Sequence, residues 1–215
     1  MPIADRDTFV SGAEPTIYPN DLFDVARDGR PDHRWWVLHT KSRQEKAIAR
    51  ELREWRAPYY LPLVEKTTVY PRRRVTSYIP LLRSYIFLYG SEDDRNRGLK
   101  TNRVVQILAV PDQDEIREDL HRLYRLIASG APLTVESRFR PGHCVRIRRG
   151  PFAGLEGTVM KRRDETRLIV SVNFLQQGAS VEIEDFMLEP IDTACYVSKG
   201  NIEDRHGSLC LEGQH

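Results

Sequence analysis

The sequence is poor in the features that mark disulfide-rich, metal-binding and membrane proteins. It has 3 cysteines among 215 residues, an odd number with no Cys-x-x-Cys pair, which argues against a disulfide scaffold and a zinc site. No segment approaches the ~18 consecutive apolar residues of a membrane helix, and the first residues form no apolar signal segment. These absences predict a cytoplasmic protein that holds no metal and makes no membrane contact.

The motifs of common enzyme classes are also missing. The sequence has no phosphate-binding loop, no dinucleotide-binding glycine pattern and no His-Glu-x-x-His. Its serine, histidine and acidic residues form no nucleophile motif. The sequence therefore predicts a protein that is not an enzyme, with no catalytic residues and no cofactor.

A strong excess of one charge is absent as well. Lys and Arg number 33 against 31 Asp and Glu, for a net charge of +2, which argues against a dedicated, high-affinity nucleic-acid binder. The arginines are nevertheless clustered, at residues 72–74, 146–149 and 161–163. Each cluster is either a nucleic-acid contact or a solvated strand face, and the sequence leaves both open.

What the sequence does contain is clearest in residues 142–191. Apolar and polar residues alternate there and glycines interrupt them, which is typical of a small, strongly bent β-barrel. A Gly-Pro-Phe-Ala-Gly loop stands at residues 150–154, and Gly157 precedes the next strand. We expect a small SH3-like β-barrel over residues 138–191, joined to the preceding part by a linker at 131–137.

Residues 34–130 predict a different kind of unit. Their patterns give the order β-α-β-β-β-α-β-α, with a hairpin or a long basic loop near residues 67–80. In the first helix Ile48, Leu52 and Trp55 form an apolar stripe, and Ser42 with Glu45 predicts a capping box. This order predicts an α+β fold, in which helices flank an N-terminal antiparallel sheet.

The two ends of the chain are less regular. Residues 1–33 contain glycines, prolines and many acids without a sustained period, which predicts a flexible N-terminal extension. The alternative is one short helical turn that docks on the body through residues such as Leu22 and Phe23. Residues 192–215 predict a disordered tail.

In this order, the segments resemble the NusG family of transcription elongation factors, whose second domain is of the KOW type. The resemblance covers residues 34–191. It depends on Arg-Trp-Trp-Val at 34–37, Gln-Glu-Lys-Ala at 44–47, Tyr-Leu-Pro at 60–62, the strand that begins near Tyr85, and the Gly-Pro-Phe-Ala-Gly loop. Leu82 stands where the family usually has an aromatic residue, and Arg83-Ser84 replace the usual Pro-Gly or Pro-Asn. This departure indicates a specialised, RfaH-like paralogue.

The resemblance implies a monomeric elongation and antitermination factor whose first domain binds RNA polymerase and suppresses pausing or termination. The partner surface would be the clamp coiled coil of the largest catalytic subunit. The residues implied in that contact are Tyr85, Phe87, Leu82 and His39. The two aromatic residues of the strand, Tyr85 and Phe87, also suit a core.

The resemblance further implies nucleic-acid and partner contacts. Non-template or upstream DNA would meet Lys41, Arg43, Gln44, Arg72, Arg73, Arg74 and Arg103, although ordinary solvated charge is the alternative for each. The KOW domain would recruit a ribosomal protein or the Rho terminator through Leu155, expected at an exposed loop tip. The alternative function is a KOW-type RNA-binding or ribosome-associated protein without a polymerase role.

Overall fold

The computed structural model describes residues 16–71, 73–131, 133–137, 143–150, 152–162, 165–172, 175, 177–183 and 188–191. The helices in these residues are α1 Leu22–Asp28, α2 Glu45–Glu54, α3 Glu92–Lys100 and α4 Gln113–Ala128. The strands are β1 Ile17–Tyr18, β2 Arg34–Thr40, β3 Tyr59–Tyr60, β4 Leu63–Tyr70, β5 Arg73–Pro80, β6 Tyr85–Gly90, β7 Val104–Ala109, β8 Thr134–Ser137, β9 His143–Ile147, β10 Glu156–Arg162, β11 Glu165–Val172, β12 Gln177–Glu182 and β13 Leu188–Pro190. This is an α+β fold with antiparallel sheets, as the sequence predicts. None of the helices in the described ranges is long and apolar enough to cross a membrane.

The first sheet has the strand order β1-β3-β6-β2-β7, and every neighbouring pair in it is antiparallel. Successive side chains of a strand point to opposite faces. Trp35 and Val37 of β2 therefore pack on one face of the sheet, whereas Trp36 and Leu38 pack on the other. The continuous apolar run of β6 is consistent with this, because helices cover both faces.

Helix α2 covers the second of these faces with Ile48 and Leu52, both 0% exposed. It begins two residues later than the capping-box expectation requires. Gln44 is its N-cap and makes no side-chain cap hydrogen bond. The expected partner of Ser42, Glu45, instead accepts a hydrogen bond from the backbone of Ser84, so the predicted Ser42–Glu45 box is wrong.

The segment before β2 also differs from expectation. Over residues 16–33 the chain is not a flexible extension, because β1 pairs with β3 and α1 packs on the sheet face that α4 also covers. Leu22 is 0% exposed and Phe23 is 9% exposed. Phe23 stacks on Trp35 at 6.2 Å between ring centroids. The alternative of a short docked helix is confirmed. Residues 1–15 lie outside the described part of the chain.

Strands β4 and β5 form a hairpin of their own, separate from the two larger sheets. Eight residues per strand give the hairpin a length of about 26 Å. Its base is closed by a hydrogen bond of 2.8 Å from the backbone N–H of Leu81 to the carbonyl of Pro62. The hairpin, rather than a basic loop, is therefore the structure of this segment.

The remaining strands form the second sheet, with the order β13-β9-β10-β11-β12-β8. No pairing among the described residues joins β13 to β8, so these strands form an open antiparallel sheet, which is consistent with the predicted SH3-like fold. The expected linker is wrong over residues 134–137, because β8 pairs with β12. Cys144 is disulfide-bonded, which the cysteine count did not predict. The predicted tail at 192–215 lies outside the described residues.

Helix α4 lies where the two sheets meet. Its residues Ile116, Leu120 and Leu123 belong to one apolar cluster that also contains Trp35 of the first sheet and Leu168 of the second. A guanidinium of the same helix, that of Arg125, donates to the carbonyl of Ala153 at 3.0 Å. The two sheets therefore share one hydrophobic core through α4.

Candidate nucleic-acid and protein interface

Three loops meet at one end of the first sheet. Strand β2 is antiparallel to both β6 and β7, so its last residues lie beside the first residues of those strands. His39 is directly opposite Tyr85, and Thr40 is opposite Val104. We call the surface formed by residues 39–44, 82–85 and 101–103 the three-loop edge. It brings together seven of the twelve residues that the sequence singles out, at His39, Lys41, Arg43, Gln44, Leu82, Tyr85 and Arg103.

An aromatic pair forms the apolar part of this edge. The rings of His39 and Tyr85 stack with 5.1 Å between centroids and 27° between planes. Both residues are half-buried. Directly opposite residues on antiparallel strands place their side chains within contact distance, so the pairing register itself produces the stack. The result is a partly accessible surface that consists of the Tyr85 ring and, stacked on it, the polar imidazole ring of His39.

Two other expected surface residues lie beneath it. Leu82 and Phe87 are both 0% exposed. Phe87 follows Tyr85 by two positions, so both side chains are on the same face of the sheet. Because they are enclosed in the core, neither side chain offers area to a partner in this arrangement. The core alternative for Phe87 agrees with its burial, and the implied role of both residues in the polymerase contact stays a prediction.

The turn that leads into β6 is fixed by Glu45, for which the sequence predicts a different role in a capping box. Glu45 is 6% exposed, and its carboxylate accepts from the backbone N–H of Ser84 at 2.7 Å. The carbonyl of Ser84 in turn accepts from the backbone N–H of Thr40 at 2.8 Å. Ser84 itself has φ of +64°, a left-handed conformation. These bonds hold the loop containing Leu82 against the end of β2.

The basic part of the edge is also ordered by contacts between the loops. The Nζ of Lys41 donates to the side-chain oxygen of Asn102 at 3.0 Å, and the backbone N–H of Lys41 donates to the carbonyl of Arg103 at 2.8 Å. Arg43 is exposed, with φ of +61°. Two cations therefore stand on the surface of this edge, within one short loop.

The guanidinium of Arg103 contacts other side chains of this protein. Its Nε donates to Glu51 at 2.6 Å and its Nη1 donates to the side-chain oxygen of Gln44 at 2.5 Å. The carboxylate of Glu51 is 26% exposed and the side chain of Arg103 is 39% exposed. The sequence pattern did not predict the Glu51–Arg103 ion pair, because Glu51 lies on α2 and Arg103 lies in the loop before β7.

The β4–β5 hairpin projects from the same end of the sheet. At its tip Val69 is 69% and Tyr70 is 51% exposed, and the guanidinium of Arg73 lies over the Tyr70 ring at 5.9 Å. Tyr70 is opposite Arg73 and Lys66 is opposite Ser77, so Lys66, Tyr70 and Arg73 share one hairpin face that carries no acid. Arg74 is exposed on the other face, and Arg72 lies outside the described residues.

The expected docking residue of the second sheet is not on the surface. Leu155 is 2% exposed and belongs to the shared core. Its carbonyl accepts from the backbone N–H of Ile147 at 2.9 Å, and its own N–H donates to Phe152. The loop that contains it is held against α4 by Arg125. Leu155 is thus an internal contact, and its predicted exposure is wrong.

A small apolar pocket of about 230 Å³ opens between the C-terminal end of α4 and the strand β3. It is lined by Thr16, Tyr60, Leu63, Tyr124, Ile127 and Ala128. The Tyr60 hydroxyl is buried and has no hydrogen-bond partner among the described residues, and burial raises the pKa of Tyr60 well above its usual value. Within the described ranges, no group of three His, Cys, Asp or Glu side chains is placed to hold a metal.

Comparison with known proteins adds a family match. Residues 33–120 match the family described as "Transcription termination factor nusG". A search of curated proteins finds no significant match. A solved structure of NusG from Thermotoga maritima, described as showing its domain interaction, is 19% identical with a TM-score of 0.40, covering 74% of this chain and 98% of that one. The MjSpt4:Spt5 complex is 17% identical with a TM-score of 0.26, covering 73% of this chain and 96% of that one.

Proposed function

We propose that this protein is a transcription elongation and antitermination factor, because residues 33–120 match the NusG family. The observation that carries the proposal is the three-loop edge, which presents the His39–Tyr85 pair beside the exposed cations Lys41 and Arg43. A protein that bridges polymerase and DNA needs an apolar contact next to a phosphate contact. This edge supplies both within one surface, and a cytoplasmic location suits the role.

The polymerase contact in this proposal is the aromatic pair. A half-buried aromatic side chain buries much area at a low entropy cost, which is why aromatics are frequent binding hot spots. Tyr85 packs against the apolar cluster that contains Phe87 and Leu82. The partner is the clamp coiled coil of the largest polymerase subunit. Binding that favours the closed clamp shifts the polymerase away from paused states by differential affinity.

The nucleic-acid contact has two parts. Lys41 and Arg43 on the three-loop edge would meet phosphates of the non-template strand, and Arg73 with Lys66 would meet upstream duplex through the acid-free hairpin face. Cations of this kind position a protein on DNA without reading its sequence. The departure at Leu82, Arg83 and Ser84 supports a specialised, RfaH-like paralogue over a general factor.

The second sheet would recruit a further partner, a ribosomal protein or Rho. Leu155 is enclosed by the shared core, so its use by a partner requires that the loop first leave α4. The proposed units are residues 34–130 and the sheet that β8–β13 form.

The alternative, an RNA-binding KOW protein without a polymerase role, has less support. Its cations would be those of the second sheet, and two of them are paired with acids. Arg146 contacts Glu156 at 2.6 Å and Glu189 at 3.8 Å, and Arg148 contacts Glu189 at 3.7 Å. Hydrogen bonding to Glu156 raises the pKa of Arg146. An arginine that is already paired with a carboxylate neutralises a phosphate less well, so fewer counterions leave the nucleic acid when the protein binds.

The test is capture of RNA polymerase by the full-length chain. We expect wild type to bind and Tyr85→Ala to weaken binding by about tenfold, the effect of losing one hot-spot aromatic. Tyr18→Ala is the matched control, because Tyr18 is a partly buried tyrosine on the edge strand β1 of the same sheet, which β3 separates from β6, and its loss should leave binding unchanged.

Two other outcomes would count against the proposal. Wild-type affinity in the Tyr85 variant would remove the clamp contact from the three-loop edge. No capture by the folded wild type, together with RNA binding that weakens steeply with salt, would favour the RNA-binding alternative.

A further inference from the structure

The tip of the β4–β5 hairpin exposes two neighbouring apolar side chains. Val69 is 69% exposed and Tyr70 is 51% exposed. Each is directly opposite an arginine, because Val69 pairs with Arg74 and Tyr70 pairs with Arg73. Adjacent residues of a strand point to opposite faces. Each face of the tip therefore combines one apolar side chain with one guanidinium.

The two faces of the hairpin differ in charge. The face of Val69 also carries the acid Glu65, whereas the face of Tyr70 carries Lys66 and Arg73 and has no acid among its described residues. A carboxylate repels a phosphate, and cations attract it. The Tyr70 face is therefore the one whose charge is complementary to a nucleic acid.

The Tyr70 ring has room for a further planar group. The guanidinium of Arg73 lies over the ring at 5.9 Å, within the range of a cation–π contact. About half of the Tyr70 side chain is still exposed. A nucleobase is a planar group that stacks on aromatic side chains, and it does so with little dependence on sequence because every base has a π-face.

The exposed ring is of little use against a closed duplex. Inside a duplex the base faces are covered by their neighbours, so a protein reaches only base edges, sugars and phosphates. Base faces become accessible where strands are unpaired. Lys66 precedes Tyr70 by four residues, which is about 13 Å along the strand. One face of the hairpin thus offers a cation for duplex phosphates and, at its end, a ring for an unpaired base.

We propose that Tyr70 stacks on an unpaired base, so that the hairpin binds the junction at which a DNA duplex opens in preference to closed duplex. This inference rests on the proposed function, in which the same hairpin face contacts upstream DNA. It adds a base contact to the phosphate contacts of Lys66 and Arg73. The hairpin then recognises the structure of the DNA and not its sequence.

The experiment compares the binding of the full-length chain to two DNA probes by fluorescence anisotropy. One probe is a fully paired duplex, and the other is a fork of the same strand lengths with unpaired strands at one end. We expect wild type to prefer the fork. Tyr70→Ala should lower affinity for the fork by about 5- to 100-fold, the range for loss of one base–aromatic stack, and leave affinity for the duplex unchanged. Tyr70→Phe keeps the ring and should retain the preference.

Val69→Ala is the matched control, because it removes the neighbouring exposed apolar side chain on the face that carries Glu65. It should leave the ratio of the two affinities unchanged. Salt dependence separates stacking from charge. Tyr70→Ala should not alter the slope of log affinity against log salt concentration, whereas Arg73→Met should reduce it by about one. Circular dichroism melting curves check that each variant folds.

Three results would overturn the inference. Equal affinity of wild type for the two probes would show that the hairpin does not distinguish an open junction. A fork preference that Tyr70→Ala leaves intact would remove the base contact from the tip. Loss of DNA-free polymerase capture by Tyr70→Ala would make the tip a protein contact.

These outcomes are separate from those of the polymerase test. Capture that depends on Tyr85, together with a wild type that lacks fork preference, would contradict this inference and leave the proposed function standing. A Tyr70-dependent fork preference without any capture of polymerase would support the DNA contact and contradict the polymerase role.

Discussion

The turn before β6 places a serine in a conformation that glycine adopts more readily. Ser84 has φ of +64°, where a side chain costs about 1–2 kcal/mol. The backbone of Ser84 bonds to Glu45 and Thr40, and these two contacts hold the strained turn in place. The conformation of Ser84 therefore lowers the free energy of unfolding by an amount that a substitution to glycine can measure.

We expect Ser84→Gly to raise the free energy of unfolding by about 0.5–1 kcal/mol. The gain from relieving the left-handed strain exceeds the backbone entropy that glycine adds to the unfolded chain. Urea unfolding followed by circular dichroism measures it. The matched control is Ser77→Gly, on the regular strand β5, which should lower stability. A loss of stability in the Ser84 variant would show that its side chain contributes more than the strain costs.

At the scale of elements, the sequence predicts well where an apolar period is long. Strands β2, β6 and β7 and helices α2 and α4 follow the predicted order, because each carries its own pattern over enough positions. Helix α1 has only seven residues between segments containing Pro19 and Gly29, and local signals cannot identify it. Its stability comes from Trp35 and α4, which are distant in sequence.

The candidate site was likewise predicted only in part from the sequence. Antiparallel strand order brings His39 next to Tyr85, and the family resemblance implied both as contact residues. The pairing of Arg103 with Glu51 was not predictable, because the two residues are separated by 52 positions and each resembles a solvated charge. The burial of Leu155 was missed for a related reason: the loop pattern contains no information about α4.

The packing of α1 gives a prediction at this scale. Phe23 contacts the rings of Trp35, Tyr60, His121 and Tyr124 and is 9% exposed. Phe23→Ala should lower the free energy of unfolding by about 3 kcal/mol, the cost of emptying a buried aromatic site. Val25→Ala is the control on the same helix, at a partly exposed position. If chemical denaturation showed equal, small losses in the free energy of unfolding for Phe23→Ala and Val25→Ala, the packing of α1 would contribute little to the stability of the core.

At the scale of the whole molecule, the shared core couples the two sheets. Helix α4 contributes residues to the cluster that contains Trp35 and Phe87 on one side and Leu168 and Val170 on the other. Two units with separate cores unfold independently, whereas units that share buried side chains unfold together. Cooperative unfolding of both sheets is therefore a direct consequence of where α4 lies.

The tryptophans allow this to be tested. All three, Trp35, Trp36 and Trp55, lie in or beside the first sheet, whereas Leu168 lies in the second and is 0% exposed. Leu168→Ala should cost about 2–5 kcal/mol and lower the denaturation midpoint of tryptophan fluorescence as much as that of circular dichroism. Lys66→Ala, exposed on the hairpin, should move neither. The opposite outcome is a Leu168→Ala variant whose fluorescence midpoint stays at the wild-type value while its circular dichroism midpoint falls. The two sheets would then unfold independently. In that case, release of the Leu155 loop to a partner would leave the stability of the first sheet unchanged.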